Sequence, residues 1–155
     1  MLRDQYAFKP TESTTAALTY FMHQVTKLFE ENNYVRCLLI DFSKAFDKVD
    51  HIILVQKLKT LHLPAYIINL ICSFLTANNQ QCNVKGHLSE TKSIGFSAYI
   101  VQGSGIGPVL YAVMKNDLHA MSKLNTLFKY AHDTTLVVPE HTDVSICDEF
   151  EHVKV

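Results

Sequence analysis

The apolar pattern predicts an α+β chain in which an antiparallel sheet is backed by helices. Two stretches carry the sheet. Residues 34–42, YVRCLLIDF, form a β-branched and aliphatic run of strand length that ends on a carboxylate, Asp41. Residues 127–138, LFKYAHDTTLVV, set two strand-like runs on either side of a short polar turn that holds His132 and Asp133. The third observation is a series of apolar residues at helical spacing ahead of the first strand: Leu18, Phe21, Met22, Val25, Leu28 and Phe29.

Each element follows from local chemistry. Pro10 and the hydroxyl cluster after it can cap a helix over about residues 13–32. After the first strand, Ser43 is a possible cap for a helical segment in which Phe46, Val49, Ile53 and Leu61 lie near one face. Pro64 suits the first turn of a further helix that ends near Asn78 and Asn79. The alternating stretch around Gly86 predicts a hairpin, and the loop QGSGIGP feeds a helix through Leu110, Val113 and Met114. Residues 139–155 are polar, with weak periodicity, and read as a tail.

A chain of 155 residues that is 48% hydrophobic can bury one ordinary core. A net charge of −1 argues against tight nucleic-acid binding through phosphate neutralisation, unless a local groove supplies the cations. Cys37, Cys72, Cys82 and Cys147 are widely spaced without a CxxC pair, which excludes a zinc ribbon and a redox motif and reads as core thiols in a reducing compartment. The apolar run of residues 63–75 is too short to span a bilayer, and the first ten residues lack the apolar core of a signal peptide. The expectation is an intracellular protein with no membrane contact.

Two buried strands that both present carboxylates at their ends meet a requirement of two-metal phosphoryl transfer, in which paired Mg²⁺ ions sit roughly 3.5–4 Å apart between shared carboxylates. Taken alone, Asp41 is more often a cap or turn residue, and Asp47, Asp50 and His51 read as solvated charge on one amphipathic helix. Phe46 reads as core and Lys9 as an exposed cation. His132 with His141 and Asp133 could be zinc ligands, but no cysteine is placed to complete a tetrahedral set. The glycine loop lacks any surrounding dinucleotide-binding pattern.

Four blocks in order, DQYAFKPTESTTAAL, LLIDFSKAFDKVDHIIL, VQGSGIGPVLYAVMKNDL and LFKYAHDTTLV, resemble the reverse transcriptase domain of LINE-type (non-LTR) retrotransposons over about residues 3–138. The resemblance implies a polymerase palm over residues 35–138, a partial fingers segment over 1–34, a divergent tail over 139–155 and no thumb. It implies that Asp41 and Asp133 bind the metal, Mg²⁺ or Mn²⁺, and that Phe46 lies under the incoming sugar. Gln102 and Gly103 would contact nucleotide and template, and Lys9 would meet the triphosphate at a position usually held by arginine. The partners implied are an RNA template, a DNA primer and deoxynucleotides.

The sequence departs from the family pattern at the turn. His132 stands where the first of two adjacent aspartates is expected, and a neutral imidazole with one free nitrogen cannot bridge two ions as a carboxylate does. Val101 replaces a usual proline, and Tyr99 a usual glycine. The resemblance therefore implies a truncated, degenerate reverse transcriptase with activity lost or residual. The alternatives are a non-catalytic module that binds nucleic acid or protein, and a transposon relic with no selected role.

Overall fold

The computed structural model describes residues 4–8, 13–76, 78–80, 83–94 and 99–154. In chain order the elements are α1 (Thr14–Phe29), β1 (Val35–Asp41), α2 (His51–Thr60), α3 (Ala65–Thr76), β2 (Asn78–Gln80), β3 (Asn83–Val84), β4 (His87–Leu88), β5 (Lys92–Ile94), α4 (Gly107–Met114), β6 (Thr126–Tyr130), β7 (Asp133–Pro139) and α5 (Ile146–Val153). The α+β class is as expected. The chain divides into two compact units, one of Met1–Ser43 with Lys115–Val155 and one of Lys44–Met114.

The first unit holds the main sheet, an antiparallel array in the order β1-β7-β6. Its strands form where β-branched and aliphatic residues alternate, so side chains at every second position share a face. Leu38, Ile40, Leu127, Leu136 and Val138 point to one face and pack with Val153 and Ile146 of α5 and with Leu118 and Ala120. The free edge of β6 is covered by the N-terminal segment, where the Lys129 N–H donates to Asp4 O at 2.7 Å and the Tyr6 N–H to Lys129 O at 2.9 Å.

Helix α1 starts at the predicted place because the Ser13 hydroxyl accepts the Ala16 N–H at 3.1 Å. It ends where the Asn32 side chain donates to Leu28 O at 2.8 Å. Phe21 meets Phe128 of β6 edge-on at 5.3 Å between ring centroids, yet α1 buries no residue fully, and Leu18 and Met22 stay more than half exposed.

The predicted polar tail is corrected. Residues 146–153 form α5, capped by the Ser145 hydroxyl, with Val153 and Glu149 both fully buried. The Glu149 carboxylate accepts the Met121 N–H (2.9 Å), the Ser122 N–H (2.8 Å) and the Asn125 side-chain amide (2.7 Å). The helix does carry an apolar stripe, with Ile146, Phe150 and Val153 at helical spacing, but its eight residues fall short of the window over which periodicity is read, and its charged residues give the stretch a polar composition.

The second unit packs Leu54 and Leu58 of α2, Ile71 and Leu75 of α3, Ile100, and Leu110, Tyr111 and Val113 of α4 into one core. Here too the sequence reading needs correction. No helix starts at Ser43: residues 43–48 form turns with Lys44 left-handed at φ 55°, and α2 begins at His51. Asp50 is its N-cap, accepting the Ile52 N–H at 2.7 Å and the Ile53 N–H at 3.1 Å. His51 is buried with Nε2 2.5 Å from Tyr99 O, so it does not lie on a solvated face as expected.

The hairpin around Gly86 is present as β3 and β4, with Asn83 opposite Leu88. The glycine loop leads into α4 as expected, and Gly107 packs too tightly for a side chain: an added Cβ would lie 2.7 Å from Ser104 Oγ and 3.0 Å from Ile100 Cγ2. The cysteines are not core residues: Cys37 and Cys147 are exposed and Cys72 is half-buried, because the faces that carry them are not covered. Cys82 lies outside the described residues. Among the described residues no helix is long and apolar enough to cross a membrane.

Candidate functional site

Antiparallel pairing of β1 with β7 sets Asp41 directly opposite Asp133. The two residues therefore project from the same face, and their separation is set by the sheet rather than by side-chain flexibility. A two-residue turn, Ala131 and His132, joins β6 to β7 and brings the imidazole to the same place. One ligand atom from each of Asp41, His132 and Asp133 lies within 4.8 Å of the others, and all three residues are exposed. His132 Nε2 is 4.0 Å from Asp133 Oδ1, too far for a hydrogen bond.

The turn is strained and braced. Ala131 has φ 55°, a left-handed conformation that costs a residue with a Cβ roughly 1–2 kcal/mol. The Tyr130 hydroxyl lies 2.6 Å from the Thr14 hydroxyl at the start of α1. Behind the turn Lys129 is buried, and its ammonium donates to Leu118 O at 2.8 Å and Lys115 O at 3.1 Å. Along β1, Cys37 and Leu39 share the face of Asp41. The Cys37 residue is exposed overall, yet partial desolvation of its sulfur pushes the thiol pKa upward. Leu39 is 78% exposed. Together with Tyr6, Leu18, Phe21, Phe128 and Tyr130 it lines an apolar cleft of about 380 Å³ that reaches Asp133.

Phe46, Gln102 and Gly103 belong to the second unit. The Phe46 ring packs 4.9 Å from that of Tyr111, half-buried against the core. Gln102 Nε2 donates to Asp47 Oδ1 at 3.5 Å, and Gly103 has φ 82°, which favours glycine there. Lys9 lies outside the described residues. His141 is not in the Asp41 cluster, and its backbone N–H donates to Asn32 Oδ1 at 3.1 Å. Sequence reasoning missed the aromatic packing of Tyr6, Tyr20, Phe21 and Phe128 beside the turn, because those contacts join segments far apart in the chain.

Residues 1–153 match the family described as reverse transcriptase (RNA-dependent DNA polymerase). The chain is 30% identical over 114 residues to the probable RNA-directed DNA polymerase from transposon X-element of Drosophila melanogaster, covering 74% of this chain and 12% of that protein. It is 31% identical over 114 residues to the RNA-directed DNA polymerase from mobile element jockey of the same species, again 74% of this chain and 12% of that protein. The jockey polymerase of Drosophila funebris is 28% identical over 142 residues, which is 92% of this chain and 15% of that protein. The chain thus spans only about an eighth of the length of the curated relatives it matches. With paired strand-end aspartates beside a hairpin turn and a family match along almost its whole length, the chain belongs to the reverse transcriptase (RNA-dependent DNA polymerase) family, among relatives from LINE-type mobile elements.

Proposed function

We propose that this chain carries the palm core of a non-LTR retrotransposon reverse transcriptase over residues 35–138, with a partial fingers segment over 1–34 and a divergent segment over 139–155. The reaction of that core is RNA-templated DNA synthesis, in which a primer 3′-hydroxyl attacks the α-phosphate of a deoxynucleotide. Bound divalent ions would stabilise the attacking and leaving oxygens. The convergence of Asp41, His132 and Asp133 within 4.8 Å is the observation that carries the reading.

The residues have distinct parts. Asp41 and Asp133 supply the carboxylates that hold the ion. Phe46 excludes the ribose 2′-hydroxyl, Gln102 and Gly103 position nucleotide and template, and Lys9 meets the triphosphate. Two carboxylates and one imidazole suit a single divalent ion of intermediate softness, Mn²⁺ rather than Mg²⁺, because imidazole offers one nitrogen and bridges nothing. A pair of Mg²⁺ ions therefore does not fit this donor set, and polymerisation is lost or residual. Mn²⁺ titration with and without Asp41→Ala tests the site: binding should vanish in the variant, and equal binding would remove the reading. Primer extension at the rate of an intact relative would refute the loss of activity.

A second reading is a non-catalytic module that binds protein or nucleic acid. The exposure of Leu39 (78%), Tyr66 (71%) and Leu70 (66%) favours a protein partner. The net charge of −1 disfavours a nucleic-acid partner held by charge alone.

A further inference from the structure

We propose that Gln5 is a positioning residue for the Asp41, His132 and Asp133 cluster, acting through the backbone of Ala131. The inference rests on the metal-site reading above for its purpose, but its geometry stands apart from it. Gln5 is only 2% exposed. Its Oε1 accepts two backbone donors, the Ala7 N–H at 3.2 Å and the Ala131 N–H at 3.3 Å. Two donors facing one atom fix the orientation of the amide, since the flipped form would set NH₂ against two N–H groups. Nε2 has no hydrogen-bond partner among the described residues, so the oxygen is the working end.

The reach of Gln5 is itself fixed. Its segment pairs in parallel with Lys129 and is held there by the bonds Lys129 N–H to Asp4 O (2.7 Å) and Tyr6 N–H to Lys129 O (2.9 Å). Ala131 is the residue that departs from strand geometry, at φ 55°, to open the turn. His132 follows it directly in the turn, so a rotation at Ala131 swings the imidazole away from Asp41 and Asp133, which strand pairing holds opposite each other. A strained residue keeps its conformation only where its surroundings over-determine it. Gln5 supplies that hold from outside the hairpin, and the contact of Thr14 with Tyr130 braces the strand just before it.

The experiment compares the unmodified chain with Gln5→Met, which keeps the shape and removes the acceptor, and Gln5→Glu, which keeps the acceptor. Amide hydrogen exchange is read at Ala131, Leu136 and Val138, alongside the Mn²⁺ dissociation constant. The expected result is exchange at Ala131 at least about tenfold faster in Gln5→Met, with Gln5→Glu close to the unmodified chain and Leu136 and Val138 unchanged. Mn²⁺ binding should weaken about five- to tenfold in Gln5→Met. Unchanged Ala131 exchange overturns the proposal. So does equal acceleration at all three amides, which marks a merely structural role, and so does a loosened Ala131 with undiminished Mn²⁺ affinity. If Gln5→Met does not fold, the unmodified chain decides: an Ala131 amide that exchanges at its unstructured rate overturns the clamp. Absence of Mn²⁺ binding in the unmodified chain defeats the metal reading instead, while Ala131 exchange still decides whether Gln5 holds the turn.

Discussion

Replacing His132 by aspartate should create a three-carboxylate site and tighten Mn²⁺ binding by about 10- to 100-fold. The magnitude follows from the geometry. Three ligand atoms no more than 4.8 Å apart place a central ion at most about 2.8 Å from each, the side divided by √3, so a contraction of some tenths of an ångström completes coordination. The substitution exchanges a neutral donor for a unit negative charge at that distance from a divalent ion. All three residues are exposed, so the dielectric response is close to that of water and the added attraction is about 3 kcal/mol at most. Salt screening and the ordering of an exposed side chain reduce this to about 1.4–2.8 kcal/mol, the stated range. The gain should be larger for Mg²⁺ than for Mn²⁺, because the hard ion loses more by accepting nitrogen. Isothermal titration with each metal measures both values. A His132→Asp chain that binds neither ion more tightly than the unmodified chain would show that the three residues do not act as one site.

Other outcomes follow from the same structure. Glu149→Ala removes the acceptor of three N–H donors in a buried position and should cost about 3–6 kcal/mol in urea unfolding, with Glu149→Gln between it and the unmodified chain; a loss under about 1 kcal/mol would refute the role given to this carboxylate. Leu136→Ala, at a fully buried strand position, should cost about 2–5 kcal/mol by the same assay. Desolvation raises the Cys37 thiol pKa, so the thiolate is scarcer at neutral pH than for a free thiol; with the other cysteines replaced by serine, alkylation should run slower than that of a small-molecule thiol at pH 7.5 and reach its plateau at higher pH. A plateau at the same pH as the free thiol would contradict this. The exposed Leu39, beside an open apolar cleft, should support binding of a hydrophobic dye that Leu39→Lys weakens, and equal fluorescence in both chains would place the dye elsewhere.

The local elements were legible because their signals are local. The Asp41 strand and the 127–138 hairpin announce themselves by apolar runs and a short polar turn, and α1 by periodicity with a Ser13 cap. The start of α2 was not legible, because Ser43 and Asp50 both qualify as caps and the choice fell to the left-handed turn at Lys44. The cysteines misled for a related reason: composition marks them as buriable, but exposure depends on whether another element covers their face.

The sequence by itself determined the class of elements, the family through four ordered blocks, and the adjacency of His132 and Asp133 in one short polar turn. Local propensity, turn chemistry and residue identity are written in neighbouring positions, so they need no tertiary information. Only the tertiary structure decided that Asp41 pairs in register with Asp133, that α5 buries Glu149 under residues 121–125, and that Gln5 grips the turn. Each of these joins segments distant in the chain through backbone hydrogen bonds or a buried polar side chain, and such pairings leave no periodic trace in the residues that make them.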